Sequence, residues 1–244
     1  MKGIILAGGL GTRLYPLTHA TNKHLLPVYN KPMIFYPIKT LVSAGITEIL
    51  IITSGPHAGH FIGVLKNGKE LGVKHLEYAY QEKADGGIAD ALSLGEDFAA
   101  GGPITVILGD NTTDAEIKSY VFHFKSGGTV FLKKITSKIQ LRRFGVAVFD
   151  QKNKEKLVRI EEKPKNPKSD YTATGLYIYD RLVFNYIRQC KPSARGEIEI
   201  TDVNNIYLHH QTLKWVELKG FWSDAGTFET LYRANEYWAN KGGI

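Results

Sequence analysis

The residues with the clearest chemical potential lie in the opening stretch of the chain. Three glycines occur within four residues, at Gly8, Gly9 and Gly11. Glycine allows positive φ angles and lets several backbone N–H groups point into one concavity. Thr12 and Arg13 then add a hydroxyl and a fixed cation that can bind phosphate oxygens. The spacing fits a phosphate-binding loop, but a plain tight turn fits it equally well, because glycine is common in turns.

Two better-known glycine loops are excluded by the spacing. A dinucleotide-binding fingerprint, G-x-G-x-x-G, would need a glycine where Leu14 stands. The P-loop, G-x-x-x-x-G-K-[ST], would need Lys-Ser or Lys-Thr after its last glycine, and neither follows these glycines.

Polar side chains with further chemical potential stand near the ends of predicted elements. Asp110 follows the apolar run Ile104–Leu108, and a carboxylate at the carboxyl end of a central strand faces the crevice where α/β proteins bind ligands. Gln81 ends another predicted strand. Its amide could pair with the O4 and N3–H edge of thymine or uracil, or be an exposed loop side chain. Asp224 could be a second carboxylate for a metal ion, or the N-cap of the last helix.

Strands and helices alternate through the first half of the chain. The predicted strands are Glu48–Thr53, Lys74–Tyr80 and Ile104–Leu108, and the predicted helices are Met33–Ala44, His57–Lys66 and Ile88–Phe98. After Val130 the predicted strands are Phe144–Phe149, Leu157–Glu161, Thr174–Tyr179 and Leu213–Leu218, with helices near Arg181–Cys190, Ile200–Leu208 and Phe228–Ala239. We therefore predict one α/β domain over residues 1–244, with a doubly wound, mostly parallel, Rossmann-like sheet and a smaller β-rich part.

Composition and charge limit which classes of protein this chain can belong to. The 244 residues carry a formal net charge of +7 and one cysteine, Cys190. No apolar run approaches the ~20 residues of a membrane span, and the chain enters a strand at once, without a signal-peptide pattern. A single cysteine excludes an internal disulfide and fits a reducing compartment. These features predict a cytoplasmic protein with no membrane partner. The charge suits small polyanions, and the scattered basic residues argue against nucleic acid.

Two longer stretches carry a resemblance to a known family. They are Leu6-Ala-Gly-Gly-Leu-Gly-Thr-Arg-Leu-Tyr-Pro16 and Asn22-Lys-His-Leu-Leu-Pro-Val-Tyr-Asn-Lys-Pro-Met-Ile34. They resemble the sugar-1-phosphate nucleotidyltransferases, and among these most closely the glucose-1-phosphate thymidylyltransferases. The resemblance implies a nucleotidyltransferase fold, with nucleotidyl transfer from dTTP to glucose 1-phosphate, Mg²⁺ as cofactor and a homo-oligomer. UTP or CTP with another sugar 1-phosphate is an alternative, as is a regulatory protein that binds nucleotide sugars without turnover.

The resemblance also implies roles for residues that bind the nucleotide. Nucleotide binding falls to Leu6, Gly8, Gly9, Gly11, Thr12, Arg13, Lys23, Gln81, Gly86, Gly87 and Asp110. Arg13 and Lys23 would be catalytic, because they neutralise the triphosphate and the leaving pyrophosphate. Gln81 would recognise the pyrimidine with Gly86 or Gly87, a choice that an extra residue near Asp85 leaves open.

A second set of implied roles concerns the metal and the sugar. The family pairs two aspartates on one metal ion, which carries over to Asp110 and Asp224. Glu161-Glu-Lys-Pro164 resembles the sugar-phosphate signature, and the β-rich part would then bind the sugar. Sugar-phosphate binding falls to Asp110, Gly145, Glu162, Lys163 and Ala173.

Some positions depart from the family pattern. Ala173 stands where valine is common, Val148 stands where glutamate is usual, and Asn111-Thr-Thr replaces a more apolar run. These differences leave the identity of the sugar open. After one amphipathic segment the sequence ends at Lys241-Gly-Gly-Ile244, without the further helical region of longer thymidylyltransferases. The sequence therefore predicts a short form that lacks the effector site to which that region contributes.

Overall fold

The computed structural model describes all 244 residues, Met1–Ile244. The strands are β1 (Lys2–Ala7), β2 (Pro27–Val28), β3 (Lys31–Pro32), β4 (Glu48–Thr53), β5 (His75–Tyr80), β6 (Ile104–Leu108), β7 (Asn111–Thr113), β8 (Gly128–Lys134), β9 (Gly145–Phe149), β10 (Leu157–Glu162), β11 (Tyr171–Tyr179), β12 (Leu213–Glu217) and β13 (Trp222–Asp224). The helices are α1 (Phe35–Ser43), α2 (His60–Leu65), α3 (Ile88–Ser93), α4 (Glu96–Ala99), α5 (Lys118–His123), α6 (Lys138–Leu141), α7 (Leu182–Ile187), α8 (Ile200–His209) and α9 (Phe228–Lys241).

A nine-stranded sheet forms the centre of the molecule. Its first-half strands run parallel in the order β6-β1-β4-β5. Ile4, Ile5, Leu6 and Ala7 of β1 are all buried, as expected of a strand that is covered on both faces. Parallel strands end at the same edge of a sheet, so the loops after β6, β1, β4 and β5 lie along one edge in that order.

The second half continues the same sheet with antiparallel strands. β11 pairs with β6 along Leu176–Tyr179, and with β8 on its other side. β9 and β10 extend the sheet at the far end of β11, and β12 runs parallel to β8 at the other edge. The register of β11 shifts between Ala173 and Tyr177, where Gly175 has a φ of +77°. The β-rich part is therefore an extension of the first-half sheet rather than a separate sheet.

Helices cover both faces of this sheet. Alternate residues of each parallel strand point to opposite faces, so Ile4 and Ile52 pack with α3, α4, α7 and α8, while Ile5 and Ile51 pack with α1 and α2. A smaller apolar cluster holds α9 against the segment that precedes α1. The prediction of a doubly wound, mostly parallel α/β fold is confirmed. No helix combines the length and the apolar character needed to cross a membrane.

Some predicted elements differ from those observed. The helix predicted over Ile88–Phe98 is two helices, α3 and α4, that meet at Gly95. A β-carbon on Gly95 would lie 2.5 Å from Ile4 Cδ1, so the glycine lets this joint pack directly on β1. Neither β8 nor α5, nor the short strand pair β7–β13, was predicted.

Candidate active site

A cleft of about 330 Å³ opens at the carboxyl ends of β1 and β6. Its lining includes these residues predicted from the sequence: Leu6, Gly8, Gly9, Arg13, Lys23, Gln81, Gly87, Asp110, Gly145, Glu162, Lys163, Ala173 and Asp224. Gly11, Thr12 and Gly86 do not line it. Residues from both halves of the chain thus meet in one cleft, although Leu6 and Asp224 are 218 positions apart in the sequence.

The glycine loop after β1 forms one wall of the cleft. Gly9 and Gly11 have φ angles of +89° and +66°, which side chains rarely adopt. The Gly9 N–H donates to Ser54 Oγ at 2.8 Å, which ties the loop to the end of β4. A β-carbon on Gly11 would lie 3.2 Å from Lys23 Cβ, so this glycine lets Lys23 pack under the loop. Thr12 is exposed.

Asp110 lies just beyond β6 and is held by two neighbouring side chains. Its Oδ2 accepts a hydrogen bond from Lys23 Nζ at 2.7 Å, and its Oδ1 accepts one from Asn111 Nδ2 at 3.1 Å. Burial is the largest single influence on the pKa of Asp110 and raises it. The charges of Lys23 and His24 and the hydrogen bonds from Lys23 and Asn111 together outweigh burial and hold that pKa well below its usual range. Asp110, which is only 8% exposed, is therefore a charged carboxylate.

Asp224 reaches the same place through a short antiparallel strand pair. β13 pairs with β7 so that Asp224 stands opposite Asn111, next to Asp110. The Ala225 N–H then donates to the Asp110 carbonyl oxygen at 2.8 Å. Asp224 is not the N-cap of the last helix, since Thr227 caps α9 through a capping box with Thr230.

The two carboxylates and one guanidinium face a common point above Gly226. Asp110 Oδ2 and Asp224 Oδ2 each lie 3.4 Å from the position that a β-carbon on Gly226 would occupy, and Arg13 Nη2 lies 3.3 Å from it. No group of three or more His, Cys, Asp or Glu side chains is arranged to hold a metal ion. Two carboxylates nevertheless suit a hard divalent cation, which takes its remaining ligands from phosphate oxygens and water. The donor set fits such a cation.

Arg143 is a functional candidate that the sequence analysis did not select. Its Nη2 donates to Asp224 Oδ2 at 2.8 Å. Burial, and then the nearby Asp110 charge, raise the pKa of Asp224 to about 6, while Arg143 opposes this rise. Arg143 precedes Gly145 by two residues in the sequence. Its closeness to this predicted sugar-binding residue was the signal that could have identified it as a site residue.

Gln81 is buried beside the glycine loop rather than exposed in a loop. The residue is 4% exposed, and its Nε2 donates to Asp90 Oδ2 at 2.7 Å and to the Gly87 carbonyl at 3.3 Å. Gly87 lines the cleft next to it, with a φ of +99°. Gly86 lies behind, where its carbonyl accepts from Ile198 N–H at 2.8 Å.

The opposite wall comes from β9, β10 and the start of α8. Glu162 Oε2 accepts a hydrogen bond from Thr201 Oγ1 at 2.5 Å, and a β-carbon on Gly145 would lie 3.5 Å from the same oxygen. Lys163 has a φ of +43°, a strained conformation for any residue other than glycine. Its backbone N–H donates to the Phe144 carbonyl oxygen. Its Nζ lies 3.7 Å from Glu162 Oε1.

Arg195 is a second basic residue that the sequence analysis missed. Its Nη2 lies 2.6 Å from Glu199 Oε1 and 3.5 Å from Glu162 Oε1. Glu197 also approaches it, at 3.3 Å. The alternation of glutamates after Arg195 could have signalled an ion-pair network, but its position beside Glu162 depends on the fold.

Sequence comparison assigns the chain to a family. The model of the nucleotidyl transferase family matches residues 2–241. The chain belongs to the nucleotidyl transferase family. The family generally uses a divalent metal ion and takes a nucleoside triphosphate and a sugar 1-phosphate as substrates. The paired carboxylates and the cations around them therefore lie in the cleft of a nucleotidyl transferase.

Similar proteins include curated relatives and solved structures. Proteins named glucose-1-phosphate thymidylyltransferase are 44% identical over 97% of this chain in Neisseria gonorrhoeae, covering 82% of that protein, and 44% identical in Actinoplanes, covering 78%. A nucleotidyl transferase structure from Bacillus anthracis, assigned as a glucose-1-phosphate thymidylyltransferase and solved with sucrose, has a TM-score of 0.89 and 50% identity, covering 97% of this chain and 94% of its own. A UDP-glucose pyrophosphorylase complexed with UDP-glucose, at 22% identity and a TM-score of 0.82 over 98% of both chains, shares the fold.

Proposed function

We propose that the protein transfers a thymidylyl group from dTTP to glucose 1-phosphate, giving dTDP-glucose and pyrophosphate. The observation that carries the reaction type is the meeting of Asp110, Asp224 and Arg13 at one point of the cleft. The identity of the substrates rests on relatives of that name that are 44% identical over 97% of the chain. The wall of the cleft opposite the glycine loop is formed by residues of β9 and β10, and the space between the two walls can hold a second substrate.

The proposed mechanism needs alignment and charge neutralisation rather than a general base. A phosphate monoester has a second pKa near ~6, so the sugar phosphate is ionised at neutral pH and attacks the α-phosphorus in line with the departing pyrophosphate. Arg13 and Lys23 bind the triphosphate and neutralise the leaving group. Lys163 binds the sugar phosphate and holds its nucleophilic oxygen towards the α-phosphorus.

The remaining site residues bind and orient the substrates in this proposal. Asp110 and Asp224 would hold Mg²⁺, which supplies Lewis-acid neutralisation of the phosphate oxygens when bound. Gln81 contacts the edge of the pyrimidine, with Gly87 lining the cleft next to it and Gly86 behind. The glycine loop, Leu6 to Thr12, surrounds the triphosphate. Glu162, Gly145 and Ala173 bind the sugar.

Pyrophosphate release measures this activity directly. The wild-type protein is expected to release pyrophosphate fastest with dTTP and glucose 1-phosphate, in a panel that includes UTP, dCTP, galactose 1-phosphate and glucosamine 1-phosphate, and only when Mg²⁺ is present. Asp224→Asn should lower turnover about 100- to 1,000-fold, since it removes a charged ligand at the reacting phosphates. Another preferred substrate pair would overturn the substrate assignment, and near-normal turnover of Asp224→Asn at saturating Mg²⁺ would remove Asp224 from the metal site.

Location and assembly belong to the same proposal. A cytoplasmic location is supported by Cys190, the sole cysteine, which is a free thiol. Assembly into a homo-oligomer stays a prediction, and light scattering coupled to size-exclusion chromatography would measure it.

A further inference from the structure

The Gln81 amide is fixed from behind by Asp90. Both hydrogen bonds of the Gln81 side chain use Nε2, which donates to Asp90 Oδ2 at 2.7 Å and to the Gly87 carbonyl at 3.3 Å. The reversed amide would place Oε1 against a carboxylate oxygen and a carbonyl oxygen, and none of these three oxygens can donate. Gln81 lines the cleft and Asp90 does not. Asp90 therefore sets the orientation of Gln81 without reaching the cleft itself.

The orientation leaves the Gln81 carbonyl oxygen open as an acceptor. A β-carbon on Gly8 would lie 3.0 Å from Gln81 Oε1 and 3.0 Å from Ser54 Oγ. The missing side chain at Gly8 thus keeps free the space beside Oε1. Ser54 Oγ accepts from the Gly9 N–H at 2.8 Å, which fixes its place beside the glycine loop. A ligand that enters here meets a fixed acceptor and no free amide hydrogen of Gln81.

Asp90 is itself held in a single place. It lies in the first turn of α3, and its carboxylate packs against Gly86, where a β-carbon would collide with it. Gly87 must also lack a side chain, because a β-carbon there would lie 2.7 Å from the Ile198 nitrogen. The two adjacent glycines therefore bring α3 close enough for Asp90 to reach Gln81.

We propose that Asp90 is a positioning residue that sets the base specificity of the cleft. By holding Gln81 Nε2, it presents only Oε1 to the base, and so favours pyrimidines that carry a hydrogen on N3. Thymine and uracil have this hydrogen, whereas cytosine has a lone pair at N3 that would face the Oε1 lone pairs. The inference rests on the proposed function, in which Gln81 contacts the base.

The test compares kcat/KM for three triphosphates in wild type and in Asp90→Ala. Without Asp90, only the 3.3 Å hydrogen bond to the Gly87 carbonyl still favours the observed amide orientation, so the ratio of dTTP to dCTP should fall about tenfold, the effect of one lost hydrogen-bond preference. The ratio of dTTP to dUTP should stay constant, because both bases carry the N3 hydrogen. A purely structural role would lower all three values together and leave both ratios unchanged.

Three further variants complete the experiment. Asp90→Asn should keep most of the dTTP preference, since its amide oxygen can still accept from Gln81 Nε2. Asp97→Ala, an exposed acidic residue on α4, should change neither ratio. Gln81→Ala combined with Asp90→Ala should have the same dTTP to dCTP ratio as Gln81→Ala alone, because Asp90 acts through Gln81.

The outcomes separate this inference from the proposed function. A wild-type protein that transfers nothing from dTTP would overturn the proposed function and the inference with it. Transfer from dTTP with an unchanged dTTP to dCTP ratio in Asp90→Ala would overturn the inference alone. An unchanged ratio in Gln81→Ala would show that Gln81 does not read the base, and would also overturn the inference. Thermal melting of each variant identifies any that fail to fold. If Asp90→Ala is among them, Asp90→Leu replaces it with the same expected fall in the ratio, because leucine is similar in size to aspartate and cannot accept a hydrogen bond from Gln81 Nε2.

Discussion

Two buried carboxylates that face one point repel each other unless cations neutralise them. Here each aspartate has its own cation, since Lys23 binds Asp110 and Arg143 binds Asp224. The two pairs are not equivalent. The pKa of Asp110 lies well below its usual range, whereas burial and the Asp110 charge raise that of Asp224 to about 6. Asp224 is therefore the carboxylate whose ionisation changes near neutral pH.

Replacing Arg143 should move the pH dependence of activity. Arg143 lowers the pKa of Asp224, so its loss raises that pKa further and leaves Asp224 protonated up to a higher pH. A protonated carboxyl cannot serve as an anionic metal ligand. At subsaturating Mg²⁺, the acid limb of kcat/KM against pH should therefore move to higher pH in Arg143→Ala. Arg142→Ala, the exposed neighbour, is the matched control. An unmoved acid limb in Arg143→Ala would show that Asp224 does not control it.

Sequence reasoning found the residues that stand at strand ends and missed their partners. Asp110 and Gln81 were found because each follows a predicted strand, and position relative to a strand is a local property. Arg143 and Asp90 were missed because their importance lies in contacts with Asp224 and Gln81. The first of these contacts spans 81 positions and depends on the pairing of β7 with β13. No local pattern records such a contact.

At the scale of elements, the segment between the glycine loop and α1 is organised around a buried histidine. His24 is 1% exposed, and its backbone and ring nitrogens both contact Asn22 Oδ1. A β-carbon on Gly109 would lie 2.8 Å from His24 Cδ2, so the ring packs directly against the start of the Asp110 loop. Burial, and then the Lys23 charge, lower the pKa of His24 to about 3. The ring is thus neutral in the folded protein at neutral pH.

This histidine should make the metal-free protein less stable in acid. The folded pKa of about 3 lies below the ordinary value of 6.5, so the unfolded chain binds the extra proton first. The stabilisation is present above pH 6.5 and is lost as pH falls towards 3, by up to about 1.4 kcal/mol per pH unit. The difference in unfolding free energy between wild type and His24→Gln should shrink between pH 7 and pH 4.5, measured by urea denaturation with a chelator. A constant difference would contradict a neutral buried ring.

Strands and helices were predicted correctly where the local sequence pattern determines them, and were missed where pairing with neighbouring strands determines them. The strands Glu48–Thr53 and Ile104–Leu108 were predicted with their observed bounds, because long apolar runs mark fully buried parallel strands. β8 was missed because its apolar run is short and is bounded by Gly127 and by lysines. It forms since β11 and β12 pair with it on both sides. The capping of α9 by Thr227 rather than Asp224 likewise follows from the commitment of Asp224 to β13.

At the scale of the whole molecule, β11 joins the two halves of the chain into one sheet. It pairs with β6 of the first half and with β8 and β9 of the second. One apolar cluster contains both Leu6 of β1 and Tyr207 of α8, so the core is also shared. The cleft lies across this junction, and the two substrate sites can therefore keep a fixed distance. We propose on these grounds that residues 1–244 unfold as one cooperative unit.

A core substitution in one half tests this cooperativity with a probe in the other. Ile51 is fully buried in β4, and Ile51→Val should destabilise the protein by about 0.5–1.5 kcal/mol. All three tryptophans, Trp215, Trp222 and Trp238, lie in the second half. Trp222 shares an apolar cluster with Ile51, so the test is made in a Trp222→Phe background, where Trp215 and Trp238 report unfolding outside that cluster. In one cooperative unit the urea midpoint from fluorescence shifts as far as the midpoint from far-UV circular dichroism.

A substitution in the second half of the chain, with a probe in the first half, tests the same coupling from the other side. Ile160→Val, in β10, should lower the hydrogen-exchange protection of β4 by the same free energy that it removes from global stability, because the slowest amides exchange through global unfolding. Protection of β4 that is unchanged by Ile160→Val, or a fluorescence midpoint that is unmoved by Ile51→Val, would mean that the halves unfold independently. The antiparallel pairing of β11 with β6 would then be too weak to couple them. Since four residue pairs of that ladder lie between buried side chains, we expect the coupled result.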